Sequence, residues 1–99
     1  MILSGHHALI TGAGSGIGAV VATTLAKAGA RVTLAGRRLA PLQETAMLCG
    51  AGKHFIADGF DVTDVAAVAR GIDAARNAFG PVSILVNNAG EAPSASFEK

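Results

Sequence analysis

Near the start of the chain, Thr11-Gly12-Ala13-Gly14-Ser15-Gly16-Ile17-Gly18 alternates glycine with other residues between two apolar stretches. Where a strand turns sharply into a helix, the first N–H groups of the helix lack partners and the aligned peptide dipoles favour an anion. Phosphate binding by the backbone is the chemistry this offers, and bulky side chains would obstruct it. Gly12 permits the tight turn, Gly16 lets the backbone come close to a pyrophosphate, and Gly18 lets the helix pack on the strand. Other candidates carry less chemistry. His6 and His7 are neighbours on an expected strand, so their side chains point to opposite faces and cannot chelate one metal. His54 begins another strand. All three read as structural or surface histidines, and no metal site is expected. Asp61 and Asp64 resemble a carboxylate pair, but Asp64 fits better as a cap or first-turn residue of a helix. Ser15 has two open readings, a hydroxyl bonded to phosphate or simply a small loop residue.

These residues need a frame to hold them. With thirteen glycines in 99 residues, glycine spacing alone is a weak signal, and the order strand, glycines, helix is what raises it. His7-Ala8-Leu9-Ile10 reads as a short buried strand. After the glycines, Ile17, Val20, Val21, Leu25 and Ala28 fall on one helical stripe that ends at Gly29. Arg31 to Ala35 is a second strand. Pro41 sits in the first turn of a helix carrying Leu42, Ala46 and Cys49 inward, closed by Gly50 to Gly52. His54 to Ala57 is a third strand. A helix from about Asp64 to Phe79 turns Val65, Val68, Ala69, Ile72 and Phe79 to one side and stops at Gly80-Pro81. Val82 to Val86 is a fourth strand, and Asn87-Asn88-Ala89-Gly90 begins the loop after it. Strands alternating with helices make βαβ units. With right-handed crossovers they give an α/β, Rossmann-type doubly wound parallel sheet of order 3-2-1-4, truncated after the fourth strand. The order reverses between strands one and four, where ligands bind. The glycine turn and the Asn-Asn-Ala-Gly loop both lie there.

Composition narrows the partners. The chain is 51% hydrophobic and 15% charged, with a net charge of +1, which favours one small folded domain, residues 1–99. No basic patch interleaves with aromatics, so no nucleic acid is expected. No apolar run has the length of a membrane span, and the first residues lack the pattern of a secretion signal. A cytoplasmic location follows, with no membrane partner. The single cysteine, Cys49, forms no internal disulfide and reads as a buried reduced thiol.

At this point the residues resemble the short-chain dehydrogenase/reductase family over nearly the whole chain. Its Thr-Gly-x-x-x-Gly-x-Gly turn matches Thr11 to Gly18, its Asp-Val after strand three matches Asp61-Val62, and its Asn-Asn-Ala-Gly matches Asn87 to Gly90. The resemblance implies that Gly12, Ser15, Gly16, Ile17 and Gly18 form the cofactor turn. It implies that Asp61 bonds the adenine amine, that Val62 contacts the adenine, and that Asn88, Ala89 and Gly90 run along the ribose groups.

Cofactor choice depends on the end of strand two. NAD-binding folds usually place an acidic residue there, about 20 residues past the glycines, to hold the ribose hydroxyls. Gly36 takes that place here, and Arg37 and Arg38 follow. A guanidinium is a permanently charged fork matched to phosphate. NADP is therefore favoured over NAD, the alternative being that both arginines only solvate a strand end. A methyltransferase-type fold would also want an acidic residue there, and Arg37 argues against it.

In the resembled family a tyrosine, a lysine four residues later and a serine supply the proton that accompanies hydride transfer. This chain contains no tyrosine, and no other residue reads as the acid that an alkoxide product would need. No catalytic residue is assigned. The expectation is the N-terminal, cofactor-binding portion of a longer NADP-dependent oxidoreductase of carbonyls and secondary alcohols, inactive by itself. The alternative is a stand-alone nucleotide-binding or regulatory module. With helices one and two on one face, helix three alone on the other, and strand four an apolar edge, the chain is expected either to self-associate through that edge or the bare face, as a homo-oligomer or otherwise, or to be only marginally stable.

Overall fold

The computed structural model describes residues 2–88. Four strands, β1 (His7–Thr11), β2 (Arg31–Ala35), β3 (His54–Ala57) and β4 (Ile84–Val86), alternate with α1 (Gly16–Lys27), α2 (Leu39–Cys49) and α3 (Val65–Phe79). All pairings are parallel and the order is β3-β2-β1-β4, as the alternation of strands and helices predicts. Ala8 aligns with Val32 on one side and with Ile84 on the other. β1 is wholly buried, as a central parallel strand covered on both faces must be. No helix among the described residues is long and apolar enough to cross a membrane.

Alternate residues of each strand supply two separate cores. Ala8, Ile10, Val32 and Leu34 pack with Ala22 and Ala26 of α1 and with Leu42, Ala46 and Cys49 of α2. On the other face Leu9, Ala35 and Ala57 meet Ala75 of α3 and Phe60 from the loop before it. The inward face of α2 is the expected one, with Thr45 added. Those of α1 and α3 are so only in part, Val21, Leu25 and Val68 packing on the core and Phe79 against the His7 ring. Ile17 and Val20 are 73% and 65% exposed, while Gly18, Ala22 and Ala26 face the sheet. Val21 and Leu25 flank that face, half-buried. On α3 the buried positions are Ala67 and Ala75, with Val68 beside them. Val65, Ala69 and Ile72 point outward. In both helices the small residues win the sheet-facing positions because they allow close approach. A Cβ on Gly71 would collide with the Phe60 ring.

The helix ends follow local rules. α1 closes with Gly29 at φ +106, where Gly29 N–H donates to the Ala26 carbonyl and Ala30 N–H to that of Leu25, the double bond of a Schellman stop. Asp64 caps α3, its carboxylate accepting from the N–H groups of Ala66 and Ala67 at 3.0 and 3.2 Å. β4 is shorter than Val82 to Val86, though Ser83 N–H still donates to the His7 carbonyl at 2.9 Å.

The histidines divide between interior and surface, each with a hydrogen-bond partner away from the glycine turn. His7 is buried, with Nδ1 2.9 Å from the Gly80 carbonyl and Nε2 2.7 Å from the Thr33 hydroxyl. A carbonyl only accepts, so Nδ1 carries a proton and donates. His6 bonds Ser83 and His54 bonds the Gly50 carbonyl. All three lie at the amino ends of the strands, opposite the glycine turn. Cys49 is buried and free, and burial pushes its thiol pKa up.

Candidate cofactor cleft

The glycine turn leaves β1 at its carboxyl end. Gly12 and Gly16 have φ of +64 and +57, a left-handed backbone that favours glycine. Gly16 has no neighbour within 4 Å of where a Cβ would lie, so that side of the turn is open. At Gly18 the opposite holds. A Cβ there would collide with the Gly12 carbonyl oxygen and sit 2.7 Å from Asn88 Nδ2, so a bare backbone is what lets α1 start so near β1. Ser15 occupies the N-cap of α1, and its side chain makes no cap bond. The helix start therefore offers its N–H groups outward.

Two further segments close in on the turn. From β4, Asn88 N–H donates to the Thr11 hydroxyl at 2.8 Å, and Asn88 Nδ2 donates to the Gly12 carbonyl at 3.3 Å. From the other side, Phe60 N–H donates to the Gly36 carbonyl at 3.0 Å and Gly59 N–H to that of Arg37 at 3.3 Å. These bonds bring the end of β2 beside the loop that carries Asp61. The Asp61 carboxylate accepts from the hydroxyl and the N–H of Thr63 at 2.7 and 2.9 Å. The Thr63 hydroxyl, then its N–H, and more weakly the Arg37 charge hold Asp61 below the usual carboxylate range.

The result is a cleft of about 510 Å³ lined by Gly12, Ser15, Ile17, Gly36, Arg37, Phe60, Asp61, Val62, Thr63 and Asn88. A second hollow of about 400 Å³ shares Gly12, Ser15, Gly36 and Arg37, and adds Gly14, Arg38, Pro41 and Leu42. Arg37 thus borders both. The expected residues Gly12, Ser15, Ile17, Arg37, Arg38, Asp61, Val62 and Asn88 converge, while Gly18 lies beneath the turn and Gly16 at its open side. Ala89 and Gly90 lie outside the described residues. Phe60 and Thr63 join the cleft without having been expected. So does Gly14, whose Cβ would stand 2.7 Å from Pro41 Cβ. Its place in the glycine run was the available signal.

Comparison with known proteins bears on this geometry. The family model described as short chain dehydrogenase matches residues 6–99. Gluconate 5-dehydrogenase of Gluconobacter oxydans is 44% identical over 95 residues, covering 89% of this chain and 35% of its own length. A short-chain type dehydrogenase/reductase from Mycobacterium marinum superposes with a TM-score of 0.86 at 40% identity, over 92% of this chain and 37% of that one. L-sorbose reductase from Gluconobacter frateurii, solved with NADPH and L-sorbose, gives 0.82 at 35% identity, over 92% of this chain and 35% of that one. The chain therefore spans little more than a third of the length of these relatives.

Proposed function

Since the chain belongs to the short-chain dehydrogenase/reductase family, we propose that it is the cofactor-binding N-terminal portion of an NADP-dependent oxidoreductase interconverting a carbonyl and a secondary alcohol. The observation that carries the cofactor choice is Arg37, which borders both hollows and follows Gly36 where an NAD site would hold a carboxylate. The residues present fit a dinucleotide. Backbone N–H groups of the turn and of the α1 start take the pyrophosphate, Arg37 and Arg38 the 2′-phosphate, and Asp61 and Val62 the adenine. Asn88, on the opposite wall of the cleft, follows the ribose groups.

Bound there, the nicotinamide supplies or accepts the hydride. The chain's own residues hold and orient; with no tyrosine among its 99 residues, it brings no placed acid for the alkoxide, and we expect no carbonyl reduction from it alone. That same lack favours a second reading, a stand-alone nucleotide-binding or regulatory module. A Tyr-x-x-x-Lys sequence following Lys99 in the parent reading frame decides for the enzyme, and its absence for the module. We place the protein in the cytoplasm, in keeping with its buried unpaired thiol.

The test is a comparison of 2′,5′-ADP with 5′-AMP on the folded chain. The 2′-phosphate should improve affinity about tenfold or more, since hydrogen bonds to charged groups contribute roughly 1.5–3 kcal/mol. Arg37→Ala should erase the difference. Equal binding of both nucleotides by the unmodified chain would overturn the NADP assignment.

A further inference from the structure

Thr45 puts a hydroxyl where its helix face is otherwise apolar. It lies among Leu42, Ala46 and Cys49 on the inward side of α2 and is itself 2% exposed, so its polar atom needs a partner inside the protein. That partner belongs to another element. The hydroxyl donates to the Ala13 carbonyl, within the glycine turn, at 2.8 Å. The Pro41 carbonyl, one turn back along α2, stands at 3.4 Å. One proton serves one acceptor well, and the shorter contact takes it. A valine would fill the same volume without reaching across.

A second contact lies one residue further along the turn. The backbone at Gly14 comes so near the first turn of α2 that a Cβ would stand 2.7 Å from that of Pro41. Thr45 to Ala13 and Gly14 to Pro41 together clasp the two lips of the smaller hollow, the glycine turn on one side and the Arg38 to Leu42 segment on the other.

We propose that Thr45 is a positioning residue, fixing the spacing between the phosphate-binding turn and the arginine lip so that a ligand with two phosphates meets both at once. This rests on the dinucleotide reading above. Thr45 touches no ligand; it acts through Ala13. A ligand held at both lips gains because its second contact is intramolecular, and that gain depends on the spacing being preset. A ligand held at one lip gains nothing from it.

Three probes separate these cases: 2′,5′-ADP engages both lips, 5′-AMP the turn alone and 2′-AMP the arginine lip alone. Their affinities are measured by calorimetric titration on the full 99-residue chain, with thermal melts to verify folding. Thr45→Val should weaken 2′,5′-ADP about tenfold and each monophosphate less than about threefold, the intramolecular advantage being what is lost. Thr45→Ser should restore the unmodified pattern. Should Thr45→Val not fold, Thr45→Ala removes the same hydroxyl without altering the turn and carries the same expectation. Equal weakening of all three probes, or no weakening of 2′,5′-ADP, overturns the role of Thr45 while leaving the nucleotide reading intact. An unmodified chain that binds none of the probes overturns the nucleotide reading, and this inference with it.

Discussion

Asp61 is prepared for its place in the cleft by its neighbour two residues on. One carboxylate oxygen takes both the hydroxyl and the N–H of Thr63, which leaves the other oxygen for a donor such as an exocyclic amine. Because these bonds, with the Arg37 charge, lower its pKa, Asp61 supports the fold at pH above the ordinary carboxylate value. That support is lost as pH falls through the lowered one. Thr63→Val removes the first of the causes and should move the Asp61 carboxyl midpoint upward, measured by NMR titration; an unmoved midpoint would mean that Thr63 does not prepare the carboxylate. At this scale the meeting of the glycine turn with Arg37 is legible from type and spacing, whereas Asp61-Val62 is legible only through the family resemblance. Thr63 and Thr45 are less so. A threonine's partner is a carbonyl or carboxylate brought near by folding, and nothing in its local sequence announces it.

Helix faces show where periodicity misleads. In α2 the bulky Leu42 and the smaller Ala46 and Cys49 define an inward stripe, and the structure agrees. In α1 the bulky residues at Ile17 and Val20 look outward, because α1 starts hard against β1 and only Gly18, Ala22 and Ala26 are small enough to face it. In α3, Gly71 makes room for Phe60 in the same way, and Val65 is left 85% exposed. Hydrophobic periodicity weighs bulk, whereas close packing at a crossover selects for its absence. Helix boundaries were more readable than helix faces, as Gly29, Asp64 and Gly80 show. With few large side chains buried by α3, its cap matters more than usual. Asp64→Ala should destabilise the chain by about 1 kcal/mol, within the usual 0.5–2 kcal/mol for a lost N-cap, and Asp64→Asn should recover most of it. Urea unfolding of both variants checks this, and identical midpoints for Asp64→Ala and the parent would refute it.

For the molecule as a whole, strand order follows from the βαβ alternation and the handedness of its crossovers, which is why the order β3-β2-β1-β4 could be read from the sequence. The apolar edge expected at strand four is there as well. Among the described residues β4 pairs only with β1, and Leu85, on the α3 side of the sheet, is 67% exposed. We expect the 99-residue chain to associate with itself through this region, with an average mass that rises with concentration in sedimentation. Leu85→Lys, a charge on an edge strand, should shift it toward monomer, whereas a parent chain that stays monomeric at high concentration would contradict the expectation. The attachment of β4 has another consequence. Only three of its residues pair with β1, but side-chain bonds fasten it at both ends, Ser83 to His7 below and Asn88 to Thr11 above, each joining residues 76 or 77 apart. Contacts of such long sequence separation form late, after the cost of loop closure is met. We expect the Asn88 wall of the cleft to be the last part of it built in folding, so that the Asn88 amide gains protection from exchange after those of β1 and β2; equal protection times in pulsed hydrogen exchange would contradict this.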